Sequence, residues 1–274
     1  MSAEPSLVRI ASQWLLAIVV ALLATSFFLA LAAIQVTSED TGQRIQRRAA
    51  AALTDIDEIL PSIETQLDEA AADAEGAVVL VPGYPIPVEL TREEAETLRG
   101  DELKQRLLLE SGKALYQDGM SVWANGAPAG RQEIDNVSSA AAVYRSLNLV
   151  RDSTHTYLVV LAALLGVLTV IIGVVLLLSI RTGFMRLLAV GVILLVASMP
   201  ALAAAVAVRF AMKTAQTDAD SFVEEMLELG VDTMWLPIRL YLALSMVGFA
   251  TVGIASIGMW WDSRTRSQQI APTN

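Results

Sequence analysis

Residues 157–212 read YLVVLAALLGVLTVIIGVVLLLSIRTGFMRLLAVGVILLVASMPALAAAVAVRFAM, two apolar runs back to back around one short basic turn at Arg181, Thr182, Gly183 and Arg186. A bilayer core about 30 Å thick takes about 20 apolar residues of helix. Tyr157–Ile180 and Leu187–Ala211 each supply that length without an internal Asp, Glu or Lys, and the one Arg, Arg209, lies near an end. The pattern predicts a helical hairpin that crosses a membrane twice.

Two further runs extend this reading outward. Trp14–Ile34 follows a start that carries Arg9 and Glu4, and Leu236–Trp260 precedes Asp262, Arg264 and Arg266. The first has the layout of a secretory leader, and Ala30-Leu31-Ala32 imitates a small-x-small cleavage site. Its apolar run exceeds the roughly 7–15 residues of a leader's core, so an uncleaved signal anchor is expected. The expected spans are 14–34, 156–180, 187–211 and 235–260, with a cytoplasmic turn at 181–186. Trp14, Tyr157, Trp235, Trp260 and Trp261 fall at run ends, where amphipathic rings favour the headgroup layer.

Basic residues near span ends set the expected orientation. Arg9, Arg181, Arg186, Arg264 and Arg266 come together on one side if residues 1–13 and 261–274 are both cytoplasmic. Segments 35–155 and 212–234 are then extracytoplasmic. The charge follows that division: 35–155 holds 21 acidic and 11 basic side chains, a balance of −10, and 209–234 holds six and two, a balance of −4. Such surfaces exclude nucleic acid as a partner. The absence of Cys removes disulfides, thiolate metal sites and a Cys nucleophile. An outer domain without disulfides points to a bacterial inner (plasma) membrane.

The outer segment 35–155 is the only one long enough for a domain, expected to be mainly helical. It opens as an extension of the first span, with Leu53, Ile56, Leu60, Ile63 and Leu67 spaced 3, 4, 3, 4. Such a seam packs either inside its own domain or in an intermolecular coiled coil, and Pro61 is expected to kink or restart the helix. From Gly76 the pattern becomes Ala-Val-Val-Leu-Val and then Pro82, Gly83, Tyr84, Pro85, Ile86, Pro87, Val88. That predicts a short strand and a rigid turn, with Tyr84, Pro85 and Pro87 as a candidate recognition surface or a cover for the core. Thr91-Arg-Glu-Glu94 is a capping box ahead of Leu98, Leu103, Leu107 and Leu108, and Gly119 is a stop after a stretch at Ala114–Tyr116. Ser111-Gly112-Lys113 lacks the preceding strand of a nucleotide loop. A loop at 125–130 leads to Ile134, Val137, Ala141, Tyr144, Leu147 and Val150 at helical spacing, a second stalk beside the first with 76–120 as a cap. In the second outer segment, Ser221-Phe-Val-Glu224 predicts a helix ending at Gly230, with a stripe of Phe222, Val223, Met226 and Leu227.

No ionisable side chain falls near a span midplane, which argues against a pump or an ion-coupled transporter. Arg209 and Arg239 lie toward outer ends, either snorkelling to headgroups or pairing with Glu224, Glu225 or Glu228. Gly248, Thr251, Ala255 and Gly258 form a small-residue seam on the fourth span, and Ala197, Ala201 and Ala205 form one on the third. Such seams let backbones approach closely in lipid, joining either the chain's own helices or a partner subunit. His155 has no second His or Cys for a metal or haem, and Asp218, Asp220 and Ser221 lack the spacing of a calcium loop. No G-x-S-x-G, H-E-x-x-H or P-loop occurs. No cofactor, metal or catalytic residue is expected.

Four spans, a large first outer loop and a small second one are similar in topology to claudin-like tetraspan proteins. The paired cysteines of such loops are missing and no residue corresponds. The expectation is a non-enzymatic all-α membrane protein, an accessory or scaffold subunit whose partners are other membrane subunits or further copies of itself. A sensor signalling through a partner is the alternative. A channel or transporter component would need a polar pore face beyond Ser26, Thr169, Ser198 and Ser245.

Overall fold

A computed structural model describes residues 7–73, 76–119, 121–122, 147–180, 183–216 and 221–269. The chain divides into two compact units, one of residues 1–33, 158–208 and 234–274, the other of 34–157 and 209–233.

The first unit is built on four helices long and apolar enough to cross a membrane. They are α1 (Leu7–Thr37), α6 (Asp152–Ser179), α7 (Gly183–Ala215) and α9 (Trp235–Gln269). α1, α7 and α9 each contain one of the four apolar runs and overshoot it, because the backbone keeps hydrogen-bonding through the polar flanks, whereas α6 starts five residues ahead of its run and stops at Ser179, one residue short of its end. Ala24, Phe28, Ala32, Ala197 and Tyr241 form its buried cluster. Gln13 donates from Nε2 to the carbonyl of Ser179 at 3.0 Å. α7 begins at Gly183, where Arg186 donates from Nε to the Ile180 carbonyl at 2.9 Å.

The second unit contains α2 (Glu39–Thr54), α3 (Ile56–Asp73), β1 (Val78–Leu80), β2 (Glu89–Thr91), α4 (Arg92–Thr97), α5 (Gly100–Asp118) and α8 (Ser221–Thr233). Its core joins Ile45, Ala49, Ile63, Leu67, Ile86, Leu90, Leu103, Leu107 and Leu115. The 3-4 seam is thus spent inside its own domain, with Ile56, Ile63 and Leu67 fully enclosed.

Several expectations are corrected here. The helix does not run on from α1. Ser38 adopts an extended backbone (ψ 151°) between α1 and α2, its hydroxyl donating to the Gln35 carbonyl at 2.9 Å, a local bond that competes with helix continuation. The next break falls at Asp55, not Pro61. Asp55 is left-handed (φ 44°, ψ 50°) and its carbonyl accepts from Glu58 N at 2.9 Å to start α3. Pro61 sits within α3 as its sixth residue, where it removes the one backbone bond it would have donated, and the helix runs on through it.

The strand is one arm of a hairpin. β1 and β2 pair antiparallel with Val78 opposite Thr91 and Leu80 opposite Glu89, so the proline-rich stretch is the connection. The capping box at Thr91 is present, Glu94 N donating to Thr91 Oγ1 at 3.2 Å and Thr91 N to Glu94 Oε2 at 3.0 Å. α5 runs unbroken from Gly100 through the Ala114–Tyr116 stretch and stops at Gly119, whose positive φ of 72° suits a residue without Cβ. Ser111 and Gly112 are therefore mid-helix. A Cβ on Gly112 would stand 2.9 Å from the Gln43 carbonyl, so the missing side chain lets α5 lie flat against α2. α2 and α5 pack along their length. Of the second stalk, Ile134, Val137, Ala141 and Tyr144 lie outside the described residues, as does the 125–130 loop. α8 continues through Gly230 to Thr233. Of its stripe only Leu227 is described at side-chain level; Leu229 joins the core.

Candidate functional site

Most of the small residues expected to pack helices meet the chain's own neighbouring helices. Gly191 on α7 faces Gly248 on α9 so closely that a Cβ on Gly191 would lie 2.9 Å from Val252 N and 3.1 Å from the Gly248 carbonyl. A Cβ on Gly248 would lie 2.9 Å from Leu195 Cγ. Two helical turns on from Gly248, Ala255 is fully buried, and a Cβ on Gly258 would overlap the Phe184 ring. Thr251 turns its hydroxyl back to the Val247 carbonyl at 2.7 Å. On α7, Ala197 is enclosed, and Ala201 and Ala205 pack against the cluster containing Phe28 and Tyr241. Spacing along one helix does not mark Gly191, because its partner Gly248 is on another helix. Ser198 and Ser245 meet in the same interface. Ser198 donates to its own helix at the Leu194 carbonyl (2.7 Å), which leaves Ser245 to donate to Ser198 Oγ at 2.9 Å.

Tyr84 points inward. The residue is 7% exposed, and since Ser111 donates to the Leu107 carbonyl at 2.6 Å, the Tyr84 hydroxyl donates to Ser111 Oγ at 2.9 Å. Burial pushes its phenol above the ordinary value, and the bond to Ser111 offsets part of that. Pro85 is half-buried and Pro87 exposed. Of the three candidate recognition residues only Pro87 is exposed, and Tyr84 instead anchors the hairpin connection to α5.

Around Thr37 the end of α1, the end of α5 and the start of α6 converge. Tyr116 donates its hydroxyl to the Thr37 carbonyl at 2.9 Å, and His155 Nδ1 lies 3.3 Å from Thr37 Oγ1. Desolvation first, then the charges of Asp152 and Glu39, raise the Tyr116 phenol. Nearby, Gln46 is fully enclosed and donates from Nε2 to the carbonyls of Leu147 and Val150, both at 2.8 Å. Sequence spacing did not mark Gln46, because its role is to hold chain 101 and 104 residues away.

Arg209 donates from Nε to the Val231 carbonyl at 3.2 Å, and Arg239 stacks over Trp235 at 5.2 Å. Both find local partners. Arg48 meets Asp232 at 3.5 Å, joining α2 to α8. Asp218 and Asp220 lie outside the described residues, and among the described residues no three His, Cys, Asp or Glu side chains gather as a metal site. The second unit holds 27 acidic and 13 basic side chains, a balance of −14, against two and six, +4, in the first. No family model, curated protein or solved structure matches this chain.

Proposed function

We propose that the chain is a non-enzymatic integral protein of a bacterial plasma membrane, with both termini cytoplasmic, serving as an accessory or scaffold subunit of a larger membrane complex. The observation that carries this reading is where the packing signals go. The glycine seam of α7 and α9 is occupied by the chain's own helices, and the second unit closes a core of its own. Partner contacts are then assigned to the surface of the acidic unit and to the outer face of α6, whose apolar window is only 6% buried. In lipid such a face gains little from burial alone, so the acidic unit provides the specificity.

The test is extraction from native membranes in a mild detergent, gel filtration and mass spectrometry of co-eluting chains. Unrelated polypeptides in fixed ratio are expected; elution alone or only with itself overturns the reading.

The Thr37 junction favours a second reading, a sensor. Tyr116 and His155 tie the last turn of α1 to α5 and α6, so a displacement of α5 would be felt there. Under that reading Tyr116→Phe changes signalling while leaving complex composition intact.

A further inference from the structure

β1 is an edge strand with its outward side unoccupied among the described residues. Arg92 N donates to the Ala77 carbonyl (3.0 Å) and Val81 N to the Val88 carbonyl (2.9 Å), so 77, 79 and 81 turn their main chain toward β2. In an antiparallel pair the alternate residues turn away. Val78 and Leu80 therefore direct N–H and C=O to the free side, and their side chains are 52% and 58% exposed. Natural edges are blunted by charge, proline or cover. Here the 13 residues from Gly76 to Val88 contain no Asp, Glu, Lys or Arg, and their three prolines, Pro82, Pro85 and Pro87, lie beyond the strand in the connection. Exposed Asp73, Glu89 and Glu93, outside any ion pair among the described residues, flank that stretch, and Glu89 stands directly opposite Leu80.

We propose that this edge receives an extended segment of a partner protein, apolar residues alternating with Lys or Arg, added as a third strand beside Val78–Leu80. The inference rests on the accessory-subunit reading and names its contact. Main-chain bonds supply affinity, Val78 and Leu80 the apolar contact on one face. The choice of a basic partner follows from charge. Two copies meeting edge to edge would bring units of −14 together, whereas a cationic segment is drawn to the same field.

Two measurements on the full-length chain test it. In lipid nanodiscs, wild type is titrated with a ten-residue peptide of alternating Val and Lys and with its Val–Glu counterpart. Val78→Pro removes the outward N–H at the first residue of the strand, where proline is tolerated, and Leu80→Lys is an independent block that keeps the backbone. The Val–Lys peptide should bind wild type and lose at least tenfold in both variants, while the Val–Glu peptide should not bind. Unchanged binding in Val78→Pro, equal binding of the Val–Glu peptide, or crosslinking of two copies through β1 overturns the proposal. In native membranes both variants should lose co-purifying chains by at least tenfold, and retention by both overturns it. If wild type itself brings down no other chain, the accessory-subunit reading fails, and the peptide titration still decides whether the edge accepts a strand.

Discussion

At Tyr84 a phenol that looks from its proline neighbours like a surface feature is part of the core, and its titration reports that fact. Desolvation raises its pKa above the ordinary 10.0, as it does for Tyr116. For a group whose folded value is raised, the folded state binds more protons between the two values, so the contribution is full below about pH 10 and is lost as pH rises through the folded value. Thermal stability should therefore fall above pH 10, and Tyr84→Phe should flatten that fall while costing about 0.5–1.5 kcal/mol at neutral pH for the lost bond to Ser111. A scan of melting temperature from pH 8 to 11.5 on both proteins checks it; identical slopes would place the titration elsewhere. The glycine seam gives a second expectation. Gly191→Ala puts a methyl against the main chain of Val252 and Gly248, and overpacking of that kind costs about 1–3 kcal/mol. Unfolding in mixed detergent should show it, whereas Gly253→Ala, with open space around it, should be near neutral.

Among the elements, the α2–α3 junction separates two accounts of a helix break. If Asp55 is the joint, Asp55→Gly is tolerated and Asp55→Val costs about 1–2 kcal/mol, because a β-branched side chain is forced into the left-handed region. Pro61→Ala should then hold or raise the melting temperature, since it restores a backbone donor inside α3. A marked drop would mean that the proline sets the path. The same elements show what the sequence made legible. Apolar length is a local signal, so all four long helices could be read, as could the Thr91 box and the Gly119 stop. Breaks at Ser38 and Asp55 carry weak local signals, a hydroxyl bonded back to Gln35 at one and a single left-handed residue at the other. The pairing of α2 with α5 depends on Gly112, which looks unremarkable in one dimension, and β2 has only three residues between Val88 and α4. Proline neighbours predict backbone shape, not side-chain direction, so the sequence leaves Tyr84 open between a recognition surface and a cover for the core, and the buried ring decides for the cover.

For the whole molecule, charge and hydropathy are partitioned along the chain: −14 in the unit of α2–α5 and α8, +4 in the unit of long apolar helices. The functional account depends on that partition being a partition in space, with the acidic unit outside. The chain has no Cys, so each introduced thiol is a unique label. The decisive measurement is reaction of a membrane-impermeant maleimide with Glu93→Cys, Glu224→Cys and Ser263→Cys, all at exposed positions, in intact and then in permeabilised spheroplasts. Labelling of Glu93→Cys and Glu224→Cys in intact spheroplasts, with Ser263→Cys labelled only after permeabilisation, is the predicted result. Labelling of Ser263→Cys from outside, or protection of Glu93→Cys until the membrane is opened, would contradict the account.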